Sequence, residues 1–346
     1  MMLISFIVSI TLSAILTFFW IKIVKKWGIL DIPRGTQEPR KLHKTPVPLL
    51  GSVAILGAFT IMLAAVYFLN SAYQTKAGGT MGGINVVYFA VALFVIMIGG
   101  YIDDKYNIKA WQQIIFPTIA TGIIIYGGLN IGKITNPFGG LIMIPTAISG
   151  VLAFLWLLGM SYTTKILDGL DGLATGITAI GALMIAALSL FTKWYQPDVA
   201  LVAIIFAGAC LGFLIFNFHP AKIFLGEGGS IMLGFVLGVL AIISGSKIMT
   251  TLLVVGLPVL DVAWAVVRRA MKHKAISIGD RSHAHHLLVD GGFSHAGAVL
   301  FLYSVAFTFG IAGIFLSSAY KLMVLVILGV FSLVLLGFFG AFKQFD

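Results

Sequence analysis

Apolar stretches of about 20 residues recur from one end of this chain to the other, and each is long enough to cross a bilayer as a helix. These runs are continuous, whereas the strands of a membrane β-barrel alternate apolar and polar residues. Only 10% of the 346 residues are charged, and a helix satisfies its backbone hydrogen bonds within the bilayer. The sequence therefore predicts an all-α polytopic membrane protein.

The apolar runs define eleven candidate spans, which form a single integral-membrane domain over residues 1–346. Its one cysteine, Cys210, falls inside a span, which excludes a disulfide framework. The predicted spans cover residues about 2–21, 49–69, 85–101, 110–127, 146–163, 174–192, 198–216, 229–246, 249–267, 297–317 and 321–341.

The basic residues predict how these spans are oriented. Counted over the loops between them, 17 lysines and arginines fall on one side of the membrane and 5 fall on the other. Because basic residues collect on the cytoplasmic side, we expect the N-terminus outside and the C-terminus in the cytoplasm. This topology also accounts for the net charge of +10, so we expect no nucleic-acid partner.

The acidic residues point to the inner face as the place of any chemistry. Of the twelve, only Asp198 falls in a predicted external loop. The first cytoplasmic loop is basic and rich in proline, which suits either a topological anchor or the rim of a site for an anionic substrate. The predicted active-site loops cover residues 22–48, 102–109, 164–173, 217–228 and 268–296.

Carboxylates in three of these loops are the candidate catalytic and metal-binding groups. Asp103 and Asp104 are adjacent, and neighbours on a helix do not share a face, so one can face a ligand while the other faces a partner. Asp168 and Asp171 lie between glycines, which allow a phosphate or a base to approach the backbone closely. Glu227 precedes two glycines at the start of a span, and Mg²⁺ prefers such oxygen ligands.

The last loop supplies candidate cationic donors. His283, His285 and His286 follow Arg281 within a few residues. Three histidines could bind a transition metal, or they could donate N–H groups to phosphate oxygens. The surrounding basic residues favour phosphate. Phe224, in the preceding loop, could stack on a base or serve only for packing.

Carboxylates for Mg²⁺ and cationic donors for phosphoryl oxygens, all at one membrane face, predict phosphoryl transfer that involves a lipid. A transporter or flippase is an alternative, but it would need polar residues deep in several spans, and Asp261 is the clear case here. A second alternative is a catalytically weakened membrane scaffold with the same fold.

Five motifs, in order along nearly the whole chain, resemble those of the polyprenyl-phosphate N-acetylhexosamine-1-phosphate transferases of glycosyl transferase family 4. Any one of them alone is weak, and their order and shared membrane face make the resemblance specific. They are R-K-L-H-K-T-P-V-P at 40–48, G-Y-I-D-D at 100–104, L-D-G-L-D-G-L-A-T-G at 167–176, F-N-F-H-P-A-K-I-F-L-G-E-G-G-S at 216–230 and D-R-S-H-A-H-H at 280–286.

The resemblance implies transfer of HexNAc-1-phosphate from a UDP-sugar to undecaprenyl phosphate, with release of UMP, in the plasma membrane of a bacterium. The H-A-H-H motif is similar to the branch that uses UDP-N-acetylglucosamine. Its product would start a cell-surface polysaccharide or a teichoic-acid-type polymer. The resemblance also implies Mg²⁺ as cofactor, with Mn²⁺ as an alternative, and a homodimer.

Roles for individual residues follow from the same motifs, with the four aspartates as the expected catalytic residues. The resemblance implies that Asp103 and Asp104 lie near the lipid phosphate and the metal, and that Asp168 and Asp171 lie on the nucleotide side. It implies that Asn217 and Phe224 bind uracil and that Glu227 binds the metal. The sugar-phosphate side is then bound by His283, His285 and His286, with Arg281 beside them.

Two residues depart from the family pattern. Lys165 stands where the family usually has Asn, three residues before Asp168, and Glu227 stands where it usually has Asp. Both positions map to the expected metal site. We therefore hypothesise that Lys165 binds the substrate side of the site, pairs with Glu227 or Asp104, and partly replaces Mg²⁺.

Overall fold

The computed structural model describes residues 1–33, 45–69, 80–81, 84–136, 139–191, 195–245, 248–271 and 283–342. The predicted site residue Arg281 lies outside the described residues, as do residues 34–44 of the first predicted loop.

Helices make up most of the described chain. They are α1 (Met2–Trp27), α2 (Ser52–Leu69), α3 (Val86–Tyr106), α4 (Ala110–Gln113), α5 (Ile115–Tyr126), α6 (Thr146–Leu167), α7 (Leu173–Phe191), α8 (Pro197–Asn217), α9 (Glu227–Ile243), α10 (Ile248–Met271), α11 (Ala284–Asp290), α12 (His295–Phe315) and α13 (Ser318–Phe342).

Short antiparallel strand pairs connect some of the helices. In the first pair Leu30 lies opposite Pro48. In the second Thr80 lies opposite Asn85, and in the third Ile134 lies opposite Ile142. The strands are β1 (Leu30–Asp31), β2 (Val47–Pro48), β3 (Thr80–Met81), β4 (Ile84–Asn85), β5 (Lys133–Thr135) and β6 (Leu141–Met143).

Within the described residues, eight helices are long and apolar enough to cross a bilayer, namely α1, α3, α6, α7, α8, α10, α12 and α13. Three shorter apolar segments are α2, α9 and the α4–α5 pair, which is interrupted at Ile114. The all-α polytopic class predicted from the sequence is confirmed. The count of eleven spans and the orientation of the termini stay predictions.

Helix α9 lies at the centre of the bundle, and every residue from Gly228 to Ile243 is buried. It packs against α6, α3 and α7. Glycines allow the close crossings, since Gly234 lies against the Met160 carbonyl and Gly228 lies against Gly100. Small residues are what bring membrane helices into such close contact.

A polar stripe fastens α1 to α8. Ser9 donates a hydrogen bond to the Ile205 carbonyl at 2.7 Å, and Ser13 donates one to the Ala209 carbonyl at 2.6 Å. Side-chain hydrogen bonds between membrane helices contribute about 0.6 kcal/mol each. The rest of the contact is close packing, with Gly212 against the Ile10 carbonyl.

At one end of the bundle, the C-terminal ends of α3, α6 and α8 meet the N-terminal ends of α7, α9 and α12. The β1–β2 pair joins them there, because the Phe224 N–H donates to the Pro48 carbonyl and the Gly51 N–H donates to the Phe224 carbonyl. Loops that are far apart in the sequence therefore meet at this end of the molecule.

Candidate active site

The converging helix ends enclose a cavity of about 870 Å³. Nine of the residues that the sequence singles out line it, and they come from four separate predicted loops. They are Asp103, Asp104, Lys165, Asp168, Asp171, Asn217, Phe224, Glu227 and His286.

Asp103 supports the turn that leaves α3. One of its carboxylate oxygens accepts hydrogen bonds from the Ile108 N–H and from Nε2 of Gln113, each at 3.1 Å. The helix ends at Asn107, which has a left-handed backbone with φ of 49°. Asp103 is buried, so it positions α4 and Gln113 as well as forming part of the cavity wall.

Asp104 caps the start of α9. Its Oδ1 accepts the Glu227 N–H at 3.0 Å, and a carboxylate is stabilised at a helix N-terminus. Gly226 precedes the helix with φ of +78°, and a Cβ there would also meet Asp104 Oδ2. That Oδ2 atom is buried and has no hydrogen-bond partner among the described residues.

Lys165 lies at the end of α6 between two partners. Its ammonium is 2.8 Å from Oε2 of Glu227 and 2.7 Å from Oε1 of Gln113. Of the two carboxylates that the sequence left open as its partner, the structure pairs it with Glu227. Gln113 connects Lys165 to Asp103, so a continuous polar chain runs from Asp103 to Glu227.

Asp168 follows α6 directly, in the loop before α7. Burial, together with the negative charges of Glu227, Asp171 and Asp104, raises the pKa of Asp168 to about 8. A carboxyl in this state holds a proton near neutral pH unless a cation lies close by.

Asp171 is held from two sides. Its Oδ2 lies 2.8 Å from Nδ1 of His219 and accepts the Ala221 N–H at 3.1 Å, while its own N–H donates to Nε2 of His295 at 2.8 Å. The two imidazole rings stack with centroids 4.1 Å apart. The His295 nitrogen that accepts the N–H carries no proton, so this ring presents its other nitrogen as the donor.

The same trio also has the residue types of a transition-metal site. One ligand atom from each of Asp171, His219 and His295 lies within 4.8 Å of the others. In this structure all three residues take part in the hydrogen bonds just given and line the cavity.

Asn217 and Phe224 line the cavity at the end of α8 and in the loop that follows it. Asn217 is buried, where its amide accepts from the Thr175 hydroxyl at 2.9 Å and donates to the Ile223 carbonyl at 3.0 Å. These bonds fix the loop after α8 against α7, and the loop carries Phe224 to the cavity.

The three histidines predicted at the sugar-phosphate side are divided by the structure. His286 lines the cavity, and His285 lies behind it, where its ring occupies the space that a Cβ on Gly169 would need. Burial, and secondarily the neighbouring histidines, lowers the pKa of His285 well below its usual value, so this ring is neutral. The structure therefore places His285 as packing beneath the loop of Asp168.

His283 lies deeper and pairs with an acid of α10. Its Nδ1 is 3.1 Å from Oδ2 of Asp261, and the same oxygen accepts the Ala284 N–H at 3.1 Å. Both side chains are buried, and together they fix the start of α11. Neither His283 nor His285 is among the described residues that line the cavity.

Several further residues line the cavity without having been singled out from the sequence, and three of them make side-chain hydrogen bonds or ion pairs with the predicted aspartates or Lys165. They are Gln113, His219 and His295. His219 stands within the quoted F-N-F-H-P motif and His295 within the last predicted loop, so the segments were recognised but the residues were not. Gln113 follows the 102–109 loop, and only its contacts with Lys165 and Asp103 reveal its place.

The donor set fits a hard divalent cation. Asp104, Asp168 and Glu227 offer carboxylate oxygens in one cavity, which is the ligand type that Mg²⁺ prefers. A cation would also satisfy Asp104 Oδ2, which is buried and without a hydrogen-bond partner in the described part of the chain.

Comparisons with known proteins show which family the chain belongs to. The profile of glycosyl transferase family 4 matches residues 86–245. A probable undecaprenyl-phosphate N-acetylglucosaminyl 1-phosphate transferase of Bacillus subtilis (strain 168) is 31% identical over 322 residues, which are 91% of this chain and 85% of that protein.

Two further relatives extend the comparison. A decaprenyl-phosphate N-acetylglucosaminephosphotransferase of Mycolicibacterium smegmatis is 30% identical over 84% of this chain and 77% of its own. A phospho-N-acetylmuramoyl-pentapeptide-transferase of Desulforamulus reducens is 28% identical over 90% of this chain and 93% of its own. The chain therefore belongs to glycosyl transferase family 4, the polyprenyl-phosphate N-acetylhexosamine-1-phosphate transferases that its five motifs resemble.

Proposed function

We propose that this protein transfers N-acetylglucosamine-1-phosphate from UDP-N-acetylglucosamine to a polyprenyl phosphate, which we take to be undecaprenyl phosphate, and releases UMP. The observation that carries the proposal is the single cavity, in which carboxylates from separate predicted loops lie together with one lysine and three histidines. Relatives whose names specify this type of transfer cover most of the chain.

The reaction forms one phosphorus–oxygen bond and breaks another. An oxygen of the lipid phosphate attacks the β-phosphorus of the UDP-sugar, and the bond from that phosphorus to the bridging oxygen breaks, so its electron pair leaves with UMP. A phosphate monoester has a second pKa near ~6, so most of the attacking phosphate is already ionised. Deprotonating the attacking phosphate is therefore a small requirement, and we assign Asp103 to orienting it. One oxygen of Asp103 also accepts the hydrogen bond that holds the turn at Ile108.

Charge stabilisation is then the larger requirement, because negative charge is concentrated on the diphosphate. Lys165 and His286 line the cavity as donors, and Asn217 and Phe224 form the wall that we assign to uracil. A Mg²⁺ ion held by Asp104 and Glu227, or Mn²⁺ in its place, would neutralise charge on the phosphoryl oxygens. Asp168 and Asp171 shape the nucleotide side.

We place the cavity at the cytoplasmic face of a bacterial plasma membrane, where it would meet both a soluble nucleotide sugar and a lipid carrier. The product, a lipid-linked sugar diphosphate, would start a cell-surface polysaccharide or teichoic-acid-type polymer. Assembly as a homodimer remains an expectation from the family.

The test is UMP release by the purified full-length protein with UDP-N-acetylglucosamine and undecaprenyl phosphate, with the lipid product followed in parallel. We expect UMP and lipid product in equal amounts. Asp168→Asn and Asp103→Asn should each lower kcat by about 100-fold, the scale of losing one charge-organising group.

The matched control is Asp198→Asn. Asp198 is exposed in the first turn of α8, at the far end from Asn217, and that helix is about 30 Å long. We expect activity to be unchanged in this variant. A fully active Asp168→Asn protein would contradict the site assignment, and wild-type protein that releases no UMP would leave the transporter or scaffold alternatives in its place.

A further inference from the structure

We propose that the Lys165 ammonium is a tethered cation that competes with a divalent metal for Glu227, so that Lys165 weakens metal binding and holds the cavity carboxylates in place when no metal is bound. The inference deepens the proposed function and rests on it for its catalytic meaning. Its first observation is the ion pair, with Nζ of Lys165 and Oε2 of Glu227 2.8 Å apart.

Burial and hydrogen bonding hold the Lys165 side chain in this position. The side chain is only 18% exposed, and a buried ammonium needs partners to compensate for lost hydration. Gln113 is one of them, accepting from Nζ at 2.7 Å. Nε2 of the same Gln113 amide donates to Asp103 at 3.1 Å and to the Ile108 carbonyl at 3.2 Å.

This arrangement fixes which carboxylate the lysine neutralises. Because the Gln113 amide stands between Lys165 and Asp103, Asp103 contacts the network through a neutral donor. Asp104 Oδ1 accepts a hydrogen bond from the Glu227 N–H, whereas the Glu227 carboxylate pairs with the Lys165 ammonium. Lys165 and Glu227 therefore form a charged pair in a wall that also carries the four aspartates expected to be catalytic.

A divalent cation entering this cavity meets two different donors. Asp104 Oδ2 is buried and has no hydrogen-bond partner among the described residues, so it is available at once. Oε2 of Glu227 can ligate only as far as Lys165 shares or releases it, and the ammonium repels the incoming cation. Removing the ammonium should thus strengthen metal binding.

The experiment measures Mn²⁺ binding to the purified full-length protein by electron paramagnetic resonance of the free ion. Mn²⁺ serves as the probe because it accepts the same oxygen ligands as Mg²⁺. We compare wild type with Lys165→Met, which keeps most of the unbranched side chain without its charge. We expect the Kd of the variant to be lower by about tenfold or more, as removal of a close positive charge implies.

Lys222→Met is the matched control. Lys222 is exposed on the loop between α8 and α9 and is not among the residues that line the cavity, so this substitution removes the same formal charge without removing the partner of Glu227. Its Kd should stay within twofold of wild type. Equal Kd values for wild type and Lys165→Met, or weaker binding by the variant, would overturn the proposal.

Thermal unfolding provides a second readout that shows whether the variant folds. Without metal, Lys165→Met should unfold at a lower temperature than wild type, because the carboxylates then repel one another. Saturating Mn²⁺ should raise its midpoint by more than it raises that of wild type. A variant that is less stable but gains no more from Mn²⁺ would mark Lys165 as purely structural and contradict the inference.

These readouts separate the inference from the proposed function. Tighter Mn²⁺ binding by Lys165→Met in a protein that releases no UMP would sustain the role of the lysine and reject the transferase activity. UMP release by wild type combined with unchanged Mn²⁺ binding in Lys165→Met would sustain the transferase activity and reject the role of the lysine.

Discussion

At the scale of single residues, the cavity concentrates negative charge, and the raised pKa of Asp168 is the clearest sign of it. Its pKa is raised to about 8, first by burial and then by Glu227, Asp171 and Asp104. The metal-free protein therefore binds a proton at Asp168 over a range of pH in which the unfolded chain has already released it.

This shift predicts that the metal-free protein loses stability as pH rises. Between the usual pKa of 3.8 and the raised value of about 8, the folded state binds more protons than the unfolded state, so the free energy of unfolding falls with increasing pH. In EDTA, the thermal midpoint of wild type should decrease from pH 6 to pH 9. Asp168→Asn, which is neutral throughout, should show a shallower decrease.

The control for this prediction is Asp198→Asn, since Asp198 lies in the first turn of α8. Its pH profile should follow that of wild type. If Asp168→Asn followed it as well, the unfavourable charge would have to be located elsewhere.

Lys165 shows where inference from sequence ends at this scale. Its departure from the family pattern predicted an ion pair but left Glu227 and Asp104 open. The choice depends on Gln113, whose amide is 52 positions away and accepts from the lysine while it holds Asp103. No spacing rule contains that contact, because it arises only when α4 packs beside the end of α6.

At the scale of elements, α12 holds the loop between α6 and α7 at two points. The Asp171 N–H donates to Nε2 of His295 at 2.8 Å, and the Tyr303 hydroxyl donates to the Gly172 carbonyl at 2.5 Å. Because Asp168 is part of the same loop, the packing of α12 on α7 sets the position of Asp168 and Asp171.

This predicts that His295 is a positioning residue. His295→Ala removes the acceptor for the Asp171 N–H and the ring that stacks on His219, so kcat for UMP release should fall by about tenfold, a loss consistent with misplacement of a catalytic group. His295→Gln, which can offer a carbonyl oxygen near the same place, should recover part of this loss.

The readout that separates positioning from general destabilisation is the comparison of the two His295 variants at equal thermal stability. Rescue by glutamine but not by alanine supports the hydrogen bond to Asp171. Equal activity of His295→Gln and His295→Ala would show that only the volume of the ring matters.

Helix boundaries also show how much of the fold can be predicted from the pattern of apolar residues. The predicted span at 229–246 begins in the structure at Glu227, because Asp104 caps the helix from another element. The short helix α11 is fixed by Asp261 and His283, and hydropathy carries no information about such pairing. The sequence therefore located the helices and motifs, whereas the contacts between them had to come from the fold.

At the scale of the whole molecule, the prediction that distant polar loops meet at one face follows from topology alone. Spans that alternate in direction bring every second loop to the same side, so the five predicted loops, all of which contribute residues to the cavity, share one end of the bundle. The division of the histidines between cavity and interior could not be predicted, since it depends on how far α11 inserts between α10 and the loop at Gly169.

The remaining prediction concerns which way this end of the bundle faces. Cys210 is the one cysteine and is buried, so single cysteines can be introduced as accessibility probes after Cys210→Ala. Lys222→Cys lies beside the cavity and Lys133→Cys lies on β5, and both positions are exposed. With a membrane-impermeant maleimide, Lys133→Cys should react in intact cells, whereas Lys222→Cys should react only once the membrane is opened.

Because the excess of basic residues predicts a cytoplasmic cavity, labelling of Lys222→Cys from outside would reverse the orientation. It would also deprive the cavity of its nucleotide-sugar donor, and the proposed transfer would then be wrong.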